Sequence, residues 1–189
     1  MQHYLEGLKQ PQPAVYIDCR LEAVNTPDSF ASTLLSTTAS AGEQFRSVVA
    51  GIAEPFFSAY SNKLQLDGET VELNHGSASE LVGGIMARSS STPIAIVLHI
   101  LGQALRQTLE EGRPTPPIII DEANKLTSWS TAHPVELDML LSFFVLVSKQ
   151  QDWAHVLLLT SDYAYINWLE KGKHIGPTIA VVLRAVLSS

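Results

Sequence analysis

Two stretches carry residues that could do chemistry. "PPIIIDEANKL" at 116–126 ends an apolar run in adjacent carboxylates, Asp121 and Glu122. "VLLLTSDYAYINWL" at 156–169 ends a second apolar run in Thr160, Ser161 and Asp162. Adjacent acids at a strand end can divide the work of hydrolysis. One holds a hard divalent cation, usually through water, and the other orients the attacking water. A hydroxyl at the tip of the neighbouring strand can sense a terminal phosphate. A plainer account also fits the residues. Acids favour helix N-termini, and Ser161 or Asp162 can serve only to cap the next helix.

The surrounding pattern supplies strands to carry these groups. Pro117–Asp121 and His155–Thr160 read as strands, and their unbroken apolar runs suit a sheet covered on both faces. The very apolar helix expected over Pro134–Gln150 joins them, and another follows over Asp162–Lys171. Strand, helix, strand, helix implies parallel pairing through right-handed crossovers. In such sheets ligands bind beyond the carboxyl ends of the strands, where all of these groups stand.

Upstream, Ala14–Asp18 reads as another strand. Thr26-Pro27-Asp28 is a helix start: a capping hydroxyl, proline at the first helical position, then an acid. Phe45, Val48, Val49, Ile52, Phe56 and Tyr60 recur at helical spacing, and Pro55 should kink or divide that helix. A hairpin around Asp67-Gly68, pairing Leu64 with Leu73, is expected next. The capping box Ser77–Glu80 opens a further helix. Thr92-Pro93 begins an apolar helix that Gly112 and Pro114 end. Residues 1–9 suit a short helix. The tail, 173–189, fits either helix or strand.

Composition narrows the class. The 189 residues are 46% hydrophobic and 16% charged, which suits one globular domain spanning the chain. The net charge of -7 argues against a general nucleic-acid surface. Cys19 is the only cysteine, so the chain can form no internal disulfide and Cys19 reads as structural. No signal peptide or membrane span is evident, which points to an intracellular setting, the cytoplasm first. The histidines at 3, 75, 99, 133, 155 and 174 show no ligand spacing. Arg20, Arg46 and Arg184 are conceivable phosphate contacts, with surface or strand-end charge as the simpler reading. Trp129, Trp153 and Trp168 flank strand ends and read as packing residues.

Taken in order, "AVYIDCR", "PPIIIDEANKL" and "VLLLTSDYAYINWLEKG" resemble segments of the archaeal-type ATPase family, in the AAA-like and STAND branch of P-loop NTPases. The second resembles Walker B and the third sensor 1. The resemblance implies an α/β fold, a parallel sheet with helices on both faces, and ATP hydrolysis with ATP and Mg²⁺ as cofactors. It makes Asp121 the magnesium-binding acid, through water, and Glu122 the catalytic glutamate. Ser161 is the sensor position, with Thr160 next.

One part of the pattern is missing. No G-x-x-x-x-G-K-[ST] phosphate loop occurs in these residues, and Gly172-Lys173, the one Gly-Lys pair, lacks the rest of the pattern. In the family that loop precedes the helix with which this chain opens. The expectation is therefore a core incomplete at its N-terminus, lacking the first strand, with little or no activity alone. That strand would lie beside the sensor strand. Its loss leaves an apolar edge for the tail to cover, or for a protein partner or second copy to pair with. The alternative function is accordingly a non-catalytic interaction module that uses this edge.

Overall fold

The computed structural model describes residues 13–22, 24–38, 40–64, 94–171 and 180–183. The chain is α/β. Strand β1 spans Val15–Asp18, β2 Ile118–Asp121, β3 Val156–Thr160 and β4 Ala180–Leu183. They pair in the order β1-β2-β3-β4, every pair parallel. Helices α1 (Pro27–Thr38), α2 (Glu43–Leu64) and α3 (Ile94–Glu110) lie between β1 and β2 in the chain. A 3₁₀ segment (Ala123–Ser128), the short α4 (Trp129–Ala132) and α5 (Pro134–Val145) follow β2. A π-helical turn over Leu146–Gln150 extends α5, and α6 (Ala164–Lys171) follows β3.

Local sequence accounts for several boundaries. The Thr26 hydroxyl accepts from the Ser29 backbone N–H at 3.2 Å, as a cap to α1 should. Gly112, at φ 70°, ends α3. The Gly112 N–H bonds to the Leu109 carbonyl and the Arg113 N–H to the Thr108 carbonyl, a Schellman pair that needs the left-handed residue glycine provides. Asp162 Oδ1 accepts from the Ala164 N–H at 2.8 Å, so Asp162 caps α6.

Two expectations change here. Helix α2 is not divided at Pro55, and it includes Leu64, which was expected to pair in the hairpin. The remainder of that hairpin, the 1–9 helix, the capping-box helix and Gly172-Lys173 lie outside the described residues.

The layers follow from the strand order. Each connection steps the same way across the sheet, and right-handed crossovers then bring their helices to one face. Val15, Ile17, Ile118, Ile120, Val156 and Leu158 share one buried core with residues of α1, α2, α3, α5 and α6. On the opposite side Tyr16 is 42% exposed, Ile119 and Leu157 are partly exposed, and the buried Leu159 stands apart from that core. Among the described residues the helices named above pack on the first of these faces, and β4 pairs directly with β3. The same pairing resolves the tail as a strand over Ala180–Leu183, and it is the tail that covers the β3 edge.

Trp129 locks the strand-end region to this core. Its ring is fully buried and meets Phe30 edge to face at 5.5 Å, and its indole N–H donates to the Val24 carbonyl at 3.1 Å.

Candidate functional site

The parallel register sets the site. Tyr16 pairs with Ile119 and Asp18 with Asp121. Side chains alternate along a strand, so Tyr16 and Asp18 project to the same side as Asp121. The Tyr16 hydroxyl reaches diagonally to Asp121 Oδ2 at 3.0 Å. Asp121 Oδ1 accepts the N–H of Glu122 at 3.0 Å.

Glu122 turns the chain sharply. It has φ 54° and ψ 44°, a left-handed conformation that costs a residue with a Cβ about 1–2 kcal/mol. The turn brings its carboxylate to β3. The Ser161 hydroxyl lies 3.1 Å from each Glu122 carboxylate oxygen, sharing its one proton between them. The Asn124 amide nitrogen, turned inward, donates to Glu122 Oε2 at 3.2 Å and to Thr160 Oγ1 at 3.1 Å. The opposite orientation would set the amide oxygen against the carboxylate. Thr160 is fully buried, and its hydroxyl accepts from the Asp162 N–H at 3.0 Å. Ser161 therefore touches the acid pair, while Thr160 holds the turn that presents Ser161.

Arg20 completes the cluster. Its Nε and Nη2 form a fork on Asp18 at 3.1 and 3.2 Å. Nη2 also donates to Asp121 Oδ2 at 3.2 Å, and Nη1 lies 3.9 Å from Glu122 Oε1. One guanidinium faces three carboxylates. The bond to Asp18 leads in raising the Arg20 pKa further above its usual range. Tyr16 titrates late for related reasons. Burial comes first, then the bond to Asp121 and the nearby negative charge, and together they push the phenol up to about 12.

Composition and spacing had singled out Asp121, Glu122, Thr160 and Ser161, and the fold gathers them at one end of the sheet. From the sequence Arg20 is a conceivable phosphate contact, with strand-end charge the simpler reading, and Tyr16, Asp18 and Asn124 have no assigned role. A usable signal was present in β1, where Tyr16 and Asp18 alternate with buried Val15 and Ile17. Arg20 was visible only as one of several arginines, because Asp121 and Glu122, two of its three partners, are distant in sequence.

The donor set offers a test for magnesium. Mg²⁺ demands close oxygen ligands in octahedral array and keeps several waters. Asp121 offers little to such an ion: its side chain is 3% exposed, Oδ2 accepts from both Tyr16 and Arg20, and Oδ1 accepts a backbone N–H. Among the described residues no three His, Cys, Asp or Glu side chains are grouped to hold a metal. As arranged, the acid pair fits a guanidinium and does not fit magnesium.

Elsewhere, a groove of about 530 Å³ between α3 and α5 is lined by residues that include His99, Met139, Phe143 and Trp153. It is mainly apolar and contains none of the acids. Among the described residues no helix is long and apolar enough to cross a membrane. Comparison with protein-family models, curated proteins and solved structures finds no match.

Proposed function

We propose that this domain is the acid-pair and sensor half of a P-loop-type ATPase core, and that it does not turn over nucleotide by itself. The observation that carries the reading is the Ser161 hydroxyl on both Glu122 oxygens, which joins the tips of β2 and β3. A sensor serine is useful only where it can feel the group that handles the attacking water. In this reading Glu122 is that group and Ser161 fixes its carboxylate. Asn124 holds it from a second side. The left-handed backbone at Glu122 adds support, since strain of this kind gathers at functional sites.

Two features argue for inactivity alone. The sequence contains no phosphate-loop pattern, so these residues lack the chief anchor for the phosphates. The acids are also ion-paired to Arg20. In the alternative reading the domain is an interaction module, but the edge on which that reading relied is covered by β4.

Amide NMR during a titration of the purified chain with millimolar Mg·ATP tests the reading. Weak, saturating shifts at Glu122, Asn124 and Ser161 are expected, without phosphate release. Shifts confined to other regions, or none, would remove the nucleotide reading. Magnesium-dependent hydrolysis abolished by Glu122→Gln would instead show that the chain is an active enzyme alone.

A further inference from the structure

We infer that Arg20 is a built-in cation that stands in for a divalent metal at the acid pair and closes the site to one. The inference rests on the acid pair of the proposed function, and it concerns how that site is regulated.

The argument begins with charge. Asp18, Asp121 and Glu122 bring three carboxylates to one strand-end cluster, and Arg20 meets all of them. Buried acids at this spacing require a counter-charge. Here a side chain of the same chain supplies it. Each guanidinium nitrogen faces a carboxylate: Nε faces Asp18, Nη2 both Asp18 and Asp121, and Nη1 Glu122. The backbone N–H of Arg20 also donates to Asp18 at 2.9 Å, which fixes the residue's base.

Exposure makes the contact reversible. The Arg20 side chain is 45% exposed, whereas those of Asp18, Asp121 and Glu122 are 13%, 3% and 10% exposed. The acids are held in place, and the arginine approaches from the solvent side. Its guanidinium can therefore leave by rotation about its own side-chain bonds, with no change in the sheet. Anions that accept a fork, phosphate above all, are the ligands able to draw it away.

Manganese binding measured by electron paramagnetic resonance, with no nucleotide present, provides the test. The wild-type chain should show no tight site. Arg20→Gln should bind one Mn²⁺ at least about tenfold more tightly, because a full positive charge has left the cluster. Asp121→Asn added to Arg20→Gln should abolish the gain. Arg20→Lys, which keeps the charge but loses the fork, should fall between and serves as the second variant if Arg20→Gln fails to fold. Unchanged Mn²⁺ affinity in whichever of the two variants is folded would overturn the inference. So would a wild-type site already as tight as the variant's, or a gain that survives Asp121→Asn. The Mg·ATP titration reports separately on the nucleotide reading, so a chain that ignores ATP but gains manganese on loss of Arg20 would keep one conclusion and lose the other.

Discussion

The Tyr16 hydroxyl donates to Asp121 Oδ2 at 3.0 Å across the β1–β2 pair. The bond lets a half-exposed residue of one strand steady a buried carboxylate of the next. Tyr16→Phe removes the donor and leaves the ring. Hydrogen bonds to charged groups exceed neutral ones in strength, but the exposure of Tyr16 reduces the effect, so a loss of about 1 kcal/mol in urea unfolding is expected. No loss would mean that Arg20 alone satisfies this oxygen.

Burial of the phenol, together with this bond, has a pH signature. The folded-state value of the phenol, about 12, lies above the ordinary 10.0. The folded state therefore keeps the proton longer than the unfolded chain. The stabilisation is whole below pH 10 and is lost as the pH rises through about 12. Difference absorbance between wild type and Tyr16→Phe should show this phenolate appearing late. A transition near pH 10 would contradict the geometry.

Glu122 offers a test of strain against contact. Its left-handed backbone penalises any residue with a Cβ and is readily adopted by glycine. Glu122→Ala and Glu122→Gly both lose the bonds to Ser161 and Asn124, so their difference isolates the backbone. The glycine variant should be the more stable by about 1 kcal/mol. Equal stabilities would mean that the turn relaxes once the carboxylate is gone.

Much of this arrangement is legible in the sequence, and the reasons are local. The apolar runs ending in Asp121 and Thr160 announce strands whose tips carry polar groups. Thr26-Pro27-Asp28 and Gly112 mark helix ends because capping chemistry is short-range. The role of Arg20 is not legible, since its partner Asp121 is 101 residues away and only the β1–β2 register brings them together. Strand order was hidden for a related reason. Apolar runs report burial, but periodicity carries no strand order. The tail could not be assigned because Ile179, Val182, Leu183 and Val186 satisfy a helical stripe, while their β-branched neighbours satisfy a strand. Pairing with β3 decides it.

Cys19 should be chemically quiet. It is 6% exposed, and burial, followed by the charges of Asp18, Asp121 and Glu122, pushes its thiol up to about 12. The thiolate is the reactive form, so it is scarce near neutral pH. Labelling with a maleimide should be slow in the folded protein and fast in denaturant. Rapid labelling of the folded chain would show that the end of β1 opens readily.

Tyr165 makes the opposite case to Tyr16. It is 1% exposed, its ring stacks on Trp168 at 5.5 Å, and among the described residues its hydroxyl has no hydrogen-bond partner. Burial raises its pKa, so the group stays neutral across the working range. A buried hydroxyl with nothing to bond to costs about 1–3 kcal/mol relative to one left in water. Tyr165→Phe keeps the stack and removes that cost. The variant should unfold at higher denaturant concentration, with a gain of about 1 kcal/mol and an unchanged slope. Trp168→Ala, which removes the stack instead, should destabilise the fold and serves as the control for packing. If Tyr165→Phe is destabilising, its hydroxyl must bind a polar group or an ordered water in solution.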